Sequence, residues 1–223
     1  MIFQTKPSRL AADGFAVIVN YACNRQSADD TVSTINAAGG QASAFQADIS
    51  QPDDVAALYA HTRATFDRLD VVVNNAGIMT STPITTKGLD DLDKTLSINV
   101  RGTYLMMAQA AEHLTEGGRF IALSTSVIAK SLPAYGTYIA SKAGVEELVR
   151  VLANELRSRQ ITVNAIAPGP AGTELFFKGK SDALIDQLAK TAPLERLGTP
   201  EDIAHMVAFL AGPEGGWVNG QVI

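Results

Sequence analysis

The sequence predicts one α/β domain in which helices cover both faces of a parallel sheet. Short apolar runs alternate with amphipathic stretches along the 223 residues, and this alternation is typical of βαβ units. Hydrophobic residues make up 46% of the chain but aromatic residues only 6%, which suits buried parallel strands. The length favours one domain over two, so we expect residues 1–223 to form a single unit.

The predicted elements follow from these apolar runs and from the turn and cap residues between them. Strands are expected at residues 16–19, 42–47, 69–73, 119–123, 161–165 and 218–222. Helices open at residues 50–53 (Ser-Gln-Pro-Asp) and 199–202 (Thr-Pro-Glu-Asp), because each stretch offers a capping side chain, an early proline and acidic residues in the first turn. Residues 92–113 and 138–156 are expected to form two long helices.

Composition and charge exclude several classes of protein. The formal net charge of −5 leaves no basic face for nucleic acid. No apolar stretch approaches the ~20 residues of a membrane span, and no signal peptide is recognisable. Cys23 is the only cysteine, so we expect no disulfide and a reducing, cytoplasmic location. The three histidines lie far apart, which argues against a metal site.

The most informative motif is a tyrosine four residues before a lysine, Tyr138 and Lys142. On a helix these two side chains share one face. A phenol titrates near pH ~10, and a nearby ammonium is expected to lower its pKa towards the range useful for acid–base catalysis. Such a pair can donate a proton to a carbonyl oxygen while a hydride arrives at the carbon. On an arbitrary helix the pair would be a surface contact, so its neighbours decide its meaning.

Small and polar residues cluster where the predicted strands end. Residues 74–77 (Asn-Asn-Ala-Gly) follow the third strand, residues 124–126 (Ser-Thr-Ser) follow the fourth, and residues 168–170 (Pro-Gly-Pro) follow the fifth, with Thr173 just beyond. Asn99 falls in an apolar helical stretch, where asparagine is unfavourable unless it makes a hydrogen bond. Strand ends of this kind border the ligand crevice in parallel sheets.

In this order and at this approximate spacing, the motifs resemble those of the short-chain dehydrogenase/reductase (SDR) family, from about residue 10 to residue 223. The resemblance implies a Rossmann-type, doubly wound parallel sheet and a nicotinamide dinucleotide cofactor. It also implies hydride transfer between that cofactor and a carbonyl or secondary alcohol. Within the family, the chain resembles 3-oxoacyl-(acyl-carrier-protein) reductases and related bacterial oxidoreductases, which makes a 3-oxoacyl thioester one candidate substrate.

The resemblance assigns catalytic roles to four residues. Tyr138 is the expected general acid in reduction, and Lys142 lowers its pKa and binds the nicotinamide ribose. Asn99 is expected to hold a water of a proton relay. A serine that bonds the substrate oxygen is either Ser126, 12 positions before the tyrosine, or Ser124, 14 positions before it; family members mostly show a spacing between these. Ser126 is preferred because valine follows it, as in the family.

The resemblance also implies a cofactor-binding set. Its members are Tyr21, Arg25, Asp48, Asn75, Ala76, Gly77, Tyr138, Lys142, Pro168, Gly169 and Thr173. NAD-specific members carry an acidic residue after the strand that corresponds to residues 16–19. Here residues 19–25 contain no carboxylate, and Arg25 can pair with a 2′-phosphate, so we expect NADP rather than NAD. Alternatively, Arg25 only begins the next helix and Asp48 only caps a turn.

One part of the family pattern is missing. Members open with a strand and a glycine-rich turn that holds the pyrophosphate. Residues 1–6 resemble a leader before that strand and residues 7–14 the second half of the first helix, so about fifteen residues are expected between Lys6 and Pro7 but absent. Either the segment is missing from this sequence, or the chain is a degenerate member that acts as a cofactor-deficient binding or scaffold protein.

A homo-oligomer, specifically a tetramer, is the expected assembly. The resemblance implies it, and the two long helices carry more small apolar residues than one sheet-facing stripe requires. These are Ala108, Ala110, Ala111, Ala140, Ala143, Gly144 and Ala153. Such surfaces let helices approach closely across a two-fold axis.

Overall fold

The computed structural model describes residues 2–177 and 180–223, apart from the side chains of residues 2–5, 174 and 175. Five strands and the main helices alternate along this part of the chain. In chain order they are α1 (Ile2–Ala12), β1 (Val17–Tyr21), α2 (Arg25–Ala37), β2 (Ala42–Gln46), α3 (Pro52–Phe66), β3 (Val71–Asn74), α4 (Leu89–Thr95), α5 (Thr103–His113), β4 (Arg119–Leu123), α6 (Gly136–Glu155), β5 (Thr162–Ile166), α7 (Glu174–Phe177), α8 (Asp182–Lys190) and α9 (Pro200–Ala211).

The strand prediction is confirmed for the first five runs, with bounds that shift by at most two residues. The run at residues 218–222 does not form a strand of its own. It contributes a single parallel bridge between Ala165 and Val222, which extends the pairing beside β5. A capping box at Thr199 and Asp202 opens α9, as the sequence predicts.

Apolar side chains fill both faces of the β3–β4–β5 sheet. Because successive strand residues point to opposite faces, Phe120 and Ala122 of β4 pack with residues of α5 and α6. Ile121 and Leu123 of the same strand pack with residues of α9. The result is the predicted parallel sheet with helices on both sides. Within the described ranges, no helix is long and apolar enough to cross a membrane.

The sheet is divided between β1 and β3. β1 pairs with β2, and β3 pairs with β4 and β5, all in parallel, so the described strands form a two-stranded and a three-stranded sheet. A cavity of about 620 Å³ lies between them, and the strand residues 17–19 and 71–73 line it. We call it the strand-gap cavity. Its position agrees with the prediction that a central strand is missing from this sequence.

The predicted leader at residues 1–6 is wrong. Residues 2–6 belong to α1, which continues through Pro7 to Ala12, so no break falls between Lys6 and Pro7. A proline inside a helix costs one backbone hydrogen bond. Packing outweighs that loss, because Leu10 of α1 is buried in the same cluster as Ile203 and Val207 of α9.

Candidate active site

A cavity of about 260 Å³ lies at the carboxyl ends of β3, β4 and β5. We call it the catalytic cavity. Most of the predicted site residues meet there, which the shared direction of the strands explains. Those that line it are Asn75, Gly77, Ser124, Ser126, Tyr138, Lys142, Pro168, Gly169 and Thr173.

Asn99 lies behind this cavity, in a π-helical segment (Leu96–Gly102) between α4 and α5. Segments of this type are frequent at functional sites. The Asn99 side chain accepts a hydrogen bond from the Ile78 N–H at 2.8 Å and donates to the Ile78 carbonyl at 2.9 Å and to Ser141 Oγ at 3.0 Å. These bonds satisfy a fully buried amide and fix the loop after β3. The predicted water relay through Asn99 stays a prediction.

Gly77 permits a close approach at this point. A Cβ added there would lie 3.2 Å from both Asn99 Oδ1 and Lys142 Nζ, which is tighter than ordinary van der Waals contact. A side chain at position 77 would therefore push the amide and the ammonium apart. Glycine at position 77 therefore leaves room for Asn99 and Lys142 beside the cavity.

Lys142 is buried, with 6% of its surface exposed. Its Nζ donates to the Leu123 carbonyl at 2.6 Å, so the end of β4 fixes the ammonium. Burial lowers the pKa of Lys142 to about 8. The ammonium is therefore poised to lose its proton at mildly alkaline pH.

Tyr138 lies one helical turn away from Lys142, and burial raises the pKa of its phenol. A hydrogen bond from the Thr125 side chain opposes that increase, and the neighbouring Tyr135 adds to it. The expected lowering of the Tyr138 pKa by Lys142 is therefore wrong for this structure. Its physical reason is that the Lys142 ammonium bonds to a backbone carbonyl while the phenol is desolvated.

This geometry agrees with the comparisons to known proteins. A family model described as enoyl-(acyl carrier protein) reductase matches residues 7–223. A short-chain type dehydrogenase/reductase of Picea abies is 42% identical over 96% of this chain and 83% of its own length. The chain belongs to the short-chain dehydrogenase/reductase family. An NADPH-dependent aldehyde reductase-like chloroplastic protein of Arabidopsis thaliana is 37% identical, over 96% of this chain and 84% of its own length.

A solved SDR structure resembles the whole chain. The short-chain dehydrogenase of Burkholderia cenocepacia J2315, crystallised in complex with NADP, superposes with a TM-score of 0.93 at 35% identity. The match covers 100% of this chain and 90% of that one. The Rossmann-type α/β fold expected from the sequence is confirmed.

The two candidate serines of this SDR face different partners. Ser124 is buried, and its Oγ donates to Glu146 Oε1 at 2.6 Å, which engages its only proton. Ser126 begins the short helix after β4 and lines the catalytic cavity with Gly169. Ser126 is therefore the serine with a hydroxyl available to a ligand.

Two residues at the site were missed by the sequence reasoning. Thr125, between the two serines, contacts the Tyr138 phenol; its intermediate spacing from the tyrosine was the available signal. Lys6 lines both cavities and donates from Nζ to Asn75 Oδ1 at 2.6 Å. Lys6 lies one helical turn before the buried Leu10. This position indicates a buried side chain only if residues 2–12 are predicted to form one helix.

Three predicted cofactor residues lie away from the catalytic cavity. Tyr21 ends β1, and Arg25 begins α2 with an ion pair to Asp29 at 3.3 Å. Asp48 Oδ1 accepts bonds from the Ser50 N–H at 2.9 Å and from Ser50 Oγ at 2.8 Å, which is the capping arrangement considered above. Ala76 is partly buried between Asn75 and Gly77.

Proposed function

We propose that this SDR reduces a carbonyl compound with NADPH, and oxidises the corresponding secondary alcohol in the reverse direction. One observation carries the proposal. The Tyr138 phenol, the Ser126 hydroxyl and the Lys142 ammonium surround one cavity at the carboxyl edge of the sheet, beside the close approach at Gly77. That set of groups can hold a carbonyl oxygen and donate a proton to it.

The cofactor would supply the hydride, and the residues of this chain donate the proton, bind the substrate oxygen and position these groups. Tyr138 donates the phenolic proton to the substrate oxygen in reduction and takes it back in oxidation. Ser126 donates a hydrogen bond to the same oxygen as negative charge develops on it. Thr125 positions the phenol through its side-chain contact. Lys142 and Asn99 lie beside Gly77. Asn99 is proposed to hold the relay water.

Ser126→Ala is expected to lower kcat by about 100-fold, because one preorganised donor to a developing oxyanion typically contributes that much. Ser124→Ala is the matched control. Its hydroxyl bonds to Glu146 rather than facing a ligand, so kcat should stay within about threefold while stability falls by about 1 kcal/mol. Steady-state kinetics of both variants tests this. The reverse pattern, with Ser124→Ala inactive, would transfer the role to Ser124.

The nicotinamide end of the cofactor fits the residues present. Asn75 and Gly77 line the catalytic cavity together with residues 168–171 and Thr173, and Lys142 offers an ammonium to the ribose. Ala76, between Asn75 and Gly77, lines the strand-gap cavity. NADP is supported by the relative named as NADPH-dependent and by the solved neighbour in complex with NADP. At the far end, Arg25 is proposed to bind the 2′-phosphate, together with Tyr21 beside it and Asp48 at the adenine.

The kcat/KM for NADPH is expected to exceed that for NADH by at least about 10-fold, the contribution of one charge-assisted pair with a phosphate. The ion pair of Arg25 with Asp29 is exposed and weak, so the guanidinium is free to change partners. Arg25→Met should lower the NADPH value about 10-fold and leave the NADH value within twofold. Equal values for both cofactors in the unmodified protein would count against the assignment.

The substrate is proposed to have an apolar body and an anionic end, as a 3-oxoacyl thioester of a carrier protein has. Apolar side chains form one wall of the catalytic cavity: Ile78, Met79, Val127, Leu132, Phe176, Leu188 and Ile203. Lys130 and Lys180 also line it, and Lys180 packs over the Phe176 ring at 4.8 Å. Leu175 and Lys178, from the same stretch of sequence, lie outside the described side chains.

The alternative function is a cofactor-deficient scaffold of the same fold. Titration of the protein with NADPH, followed by calorimetry, separates the two. Binding with a Kd in the micromolar range, together with turnover of simple aldehydes or 3-oxoacyl thioesters, supports the reductase. No heat of binding up to millimolar NADPH would favour the scaffold.

The protein is proposed to be a homotetramer formed through the two long helices, with residues 1–223 as one unit in the cytoplasm. Tyr104 and Val151 on these helices leave 59% and 52% of their surface exposed, and Ala108 and Ala140 are exposed beside them. Sedimentation equilibrium at micromolar concentration should give about four times the 23.5 kDa chain mass. A monomer mass would rule this assembly out.

A further inference from the structure

Lys6 is a buried ammonium that the proposed chemistry of the site does not use. Only 3% of its surface is exposed, and among the described side chains its hydrogen-bond partner is the neutral amide oxygen of Asn75. Burying an ammonium is unfavourable unless an anion or several hydrogen bonds compensate. One neutral acceptor leaves most of that cost uncompensated.

A second buried ammonium increases this imbalance. In the part of the chain that the structure describes, Lys142 bonds to the carbonyl of Leu123. Burial, together with the positive charge of Lys142, lowers the pKa of Lys6. Among the described residues, neither ammonium has a carboxylate within 4.0 Å. Two like charges held near each other without a counterion attract an anion.

The whole catalytic cavity shows the same asymmetry. Lys6, Lys130, Lys142 and Lys180 line it, and no acidic side chain is found among its described lining residues, although the chain has a net charge of −5. In the strand-gap cavity the other charged lining residues, Arg68 and Asp70, pair with each other at 2.7 Å. The positive charge that lines the catalytic cavity therefore extends to Lys6, which lies where the two cavities meet.

We propose that Lys6 binds a phosphate group at the junction of the two cavities and thereby holds the pyrophosphate of the dinucleotide. The inference rests on the proposed use of NADPH. Lys6 Nζ then exchanges Asn75 Oδ1 for phosphate oxygens, and the freed amide of Asn75 is available to the ligand. An ammonium is a suitable partner for phosphate oxygens, because a charge-assisted hydrogen bond is stronger than a neutral one.

The test measures binding rather than activity. NADP, inorganic pyrophosphate and nicotinamide riboside, which lacks phosphate, are titrated by calorimetry into the unmodified protein, Lys6→Met and Lys6→Gln. Lys6→Gln keeps a donor for Asn75 Oδ1 and guards against a packing defect in Lys6→Met. Arg9→Met is the matched control, since it removes an exposed cation from the same helix.

We expect the Kd for NADP and for pyrophosphate to rise about 10- to 100-fold in both Lys6 variants. Binding of nicotinamide riboside should not change, and Arg9→Met should stay within twofold for every ligand. Equal NADP affinity in the folded Lys6 variants and the unmodified protein would overturn the proposal while leaving the reductase function intact. Lys6-dependent pyrophosphate binding without NADP binding would support the phosphate site and contradict the proposed function. Absence of binding by both phosphate ligands would overturn both.

Discussion

Tyr138→Phe is expected to lower kcat for carbonyl reduction by about 10²- to 10⁴-fold, the usual contribution of a positioned general acid. The Tyr138 phenol is the proposed proton donor and lies on the same face of α6 as Lys142. Phenylalanine removes the hydroxyl but keeps the packing of the ring. The fold should therefore be unchanged, and the Kd for NADPH should change by less than about 10-fold, the contribution of one neutral hydrogen bond. Steady-state and single-turnover kinetics with the same carbonyl substrate measure the effect.

Tyr135→Phe is the control for that experiment. Tyr135 precedes α6 and lines the same cavity, so it tests the loss of a nearby phenol without the loss of the proton donor. Its kcat should stay within about threefold. Retention of more than a few per cent of kcat in Tyr138→Phe would remove Tyr138 from the role of proton donor.

Lys6→Met is expected to stabilise the protein, and more strongly at acidic than at alkaline pH. Burial and the charge of Lys142 lower the pKa of Lys6 from 10.5 in the unfolded chain to about 7 in the folded protein. Below pH 7 the ammonium is charged in both states and its full burial cost is present. Between pH 7 and 10.5 the unfolded state binds more protons than the folded state, so stability rises with pH.

Removing this charge is expected to raise the free energy of unfolding by about 3–5 kcal/mol at pH 6. At pH 9 the expected increase is smaller than at pH 6 by about 2–3 kcal/mol. Loss of the hydrogen bond to Asn75 offsets about 1–3 kcal/mol of it. Urea denaturation at the two pH values measures both numbers. Arg9→Met, whose ion pair with Asp13 is exposed, should change stability by less than about 1 kcal/mol at either pH. A Lys6→Met variant whose stability relative to the unmodified protein does not depend on pH would contradict the burial of a charged Lys6.

Together with the phosphate-binding test, this result would show a compromise between stability and binding. The same ammonium destabilises the protein without a ligand and attracts the anion that relieves the imbalance. Substitutions that stabilise a protein by removing a buried charge commonly weaken function for this reason. NADP should accordingly raise the melting temperature of the unmodified protein more than that of Lys6→Met.

The sequence by itself determined the order of strands and helices and most of the site. Parallel strands end at one edge, so the residues after β3, β4 and β5 had to meet there, whatever the packing details. The spacing of Tyr138 and Lys142 on one helix face is equally local. These features depend on contacts within a turn or a strand, which periodicity and cap chemistry reveal.

Only the tertiary structure decided the continuity of α1, the use of each hydroxyl and the place of Lys6. Packing of Leu10 on α9 carries the helix through Pro7, against the local preference of proline. Ser124 turns to Glu146, 22 residues away, and Lys6 meets Asn75, 69 residues away. The physical reason is that such bonds join elements distant in sequence, so no local pattern encodes them.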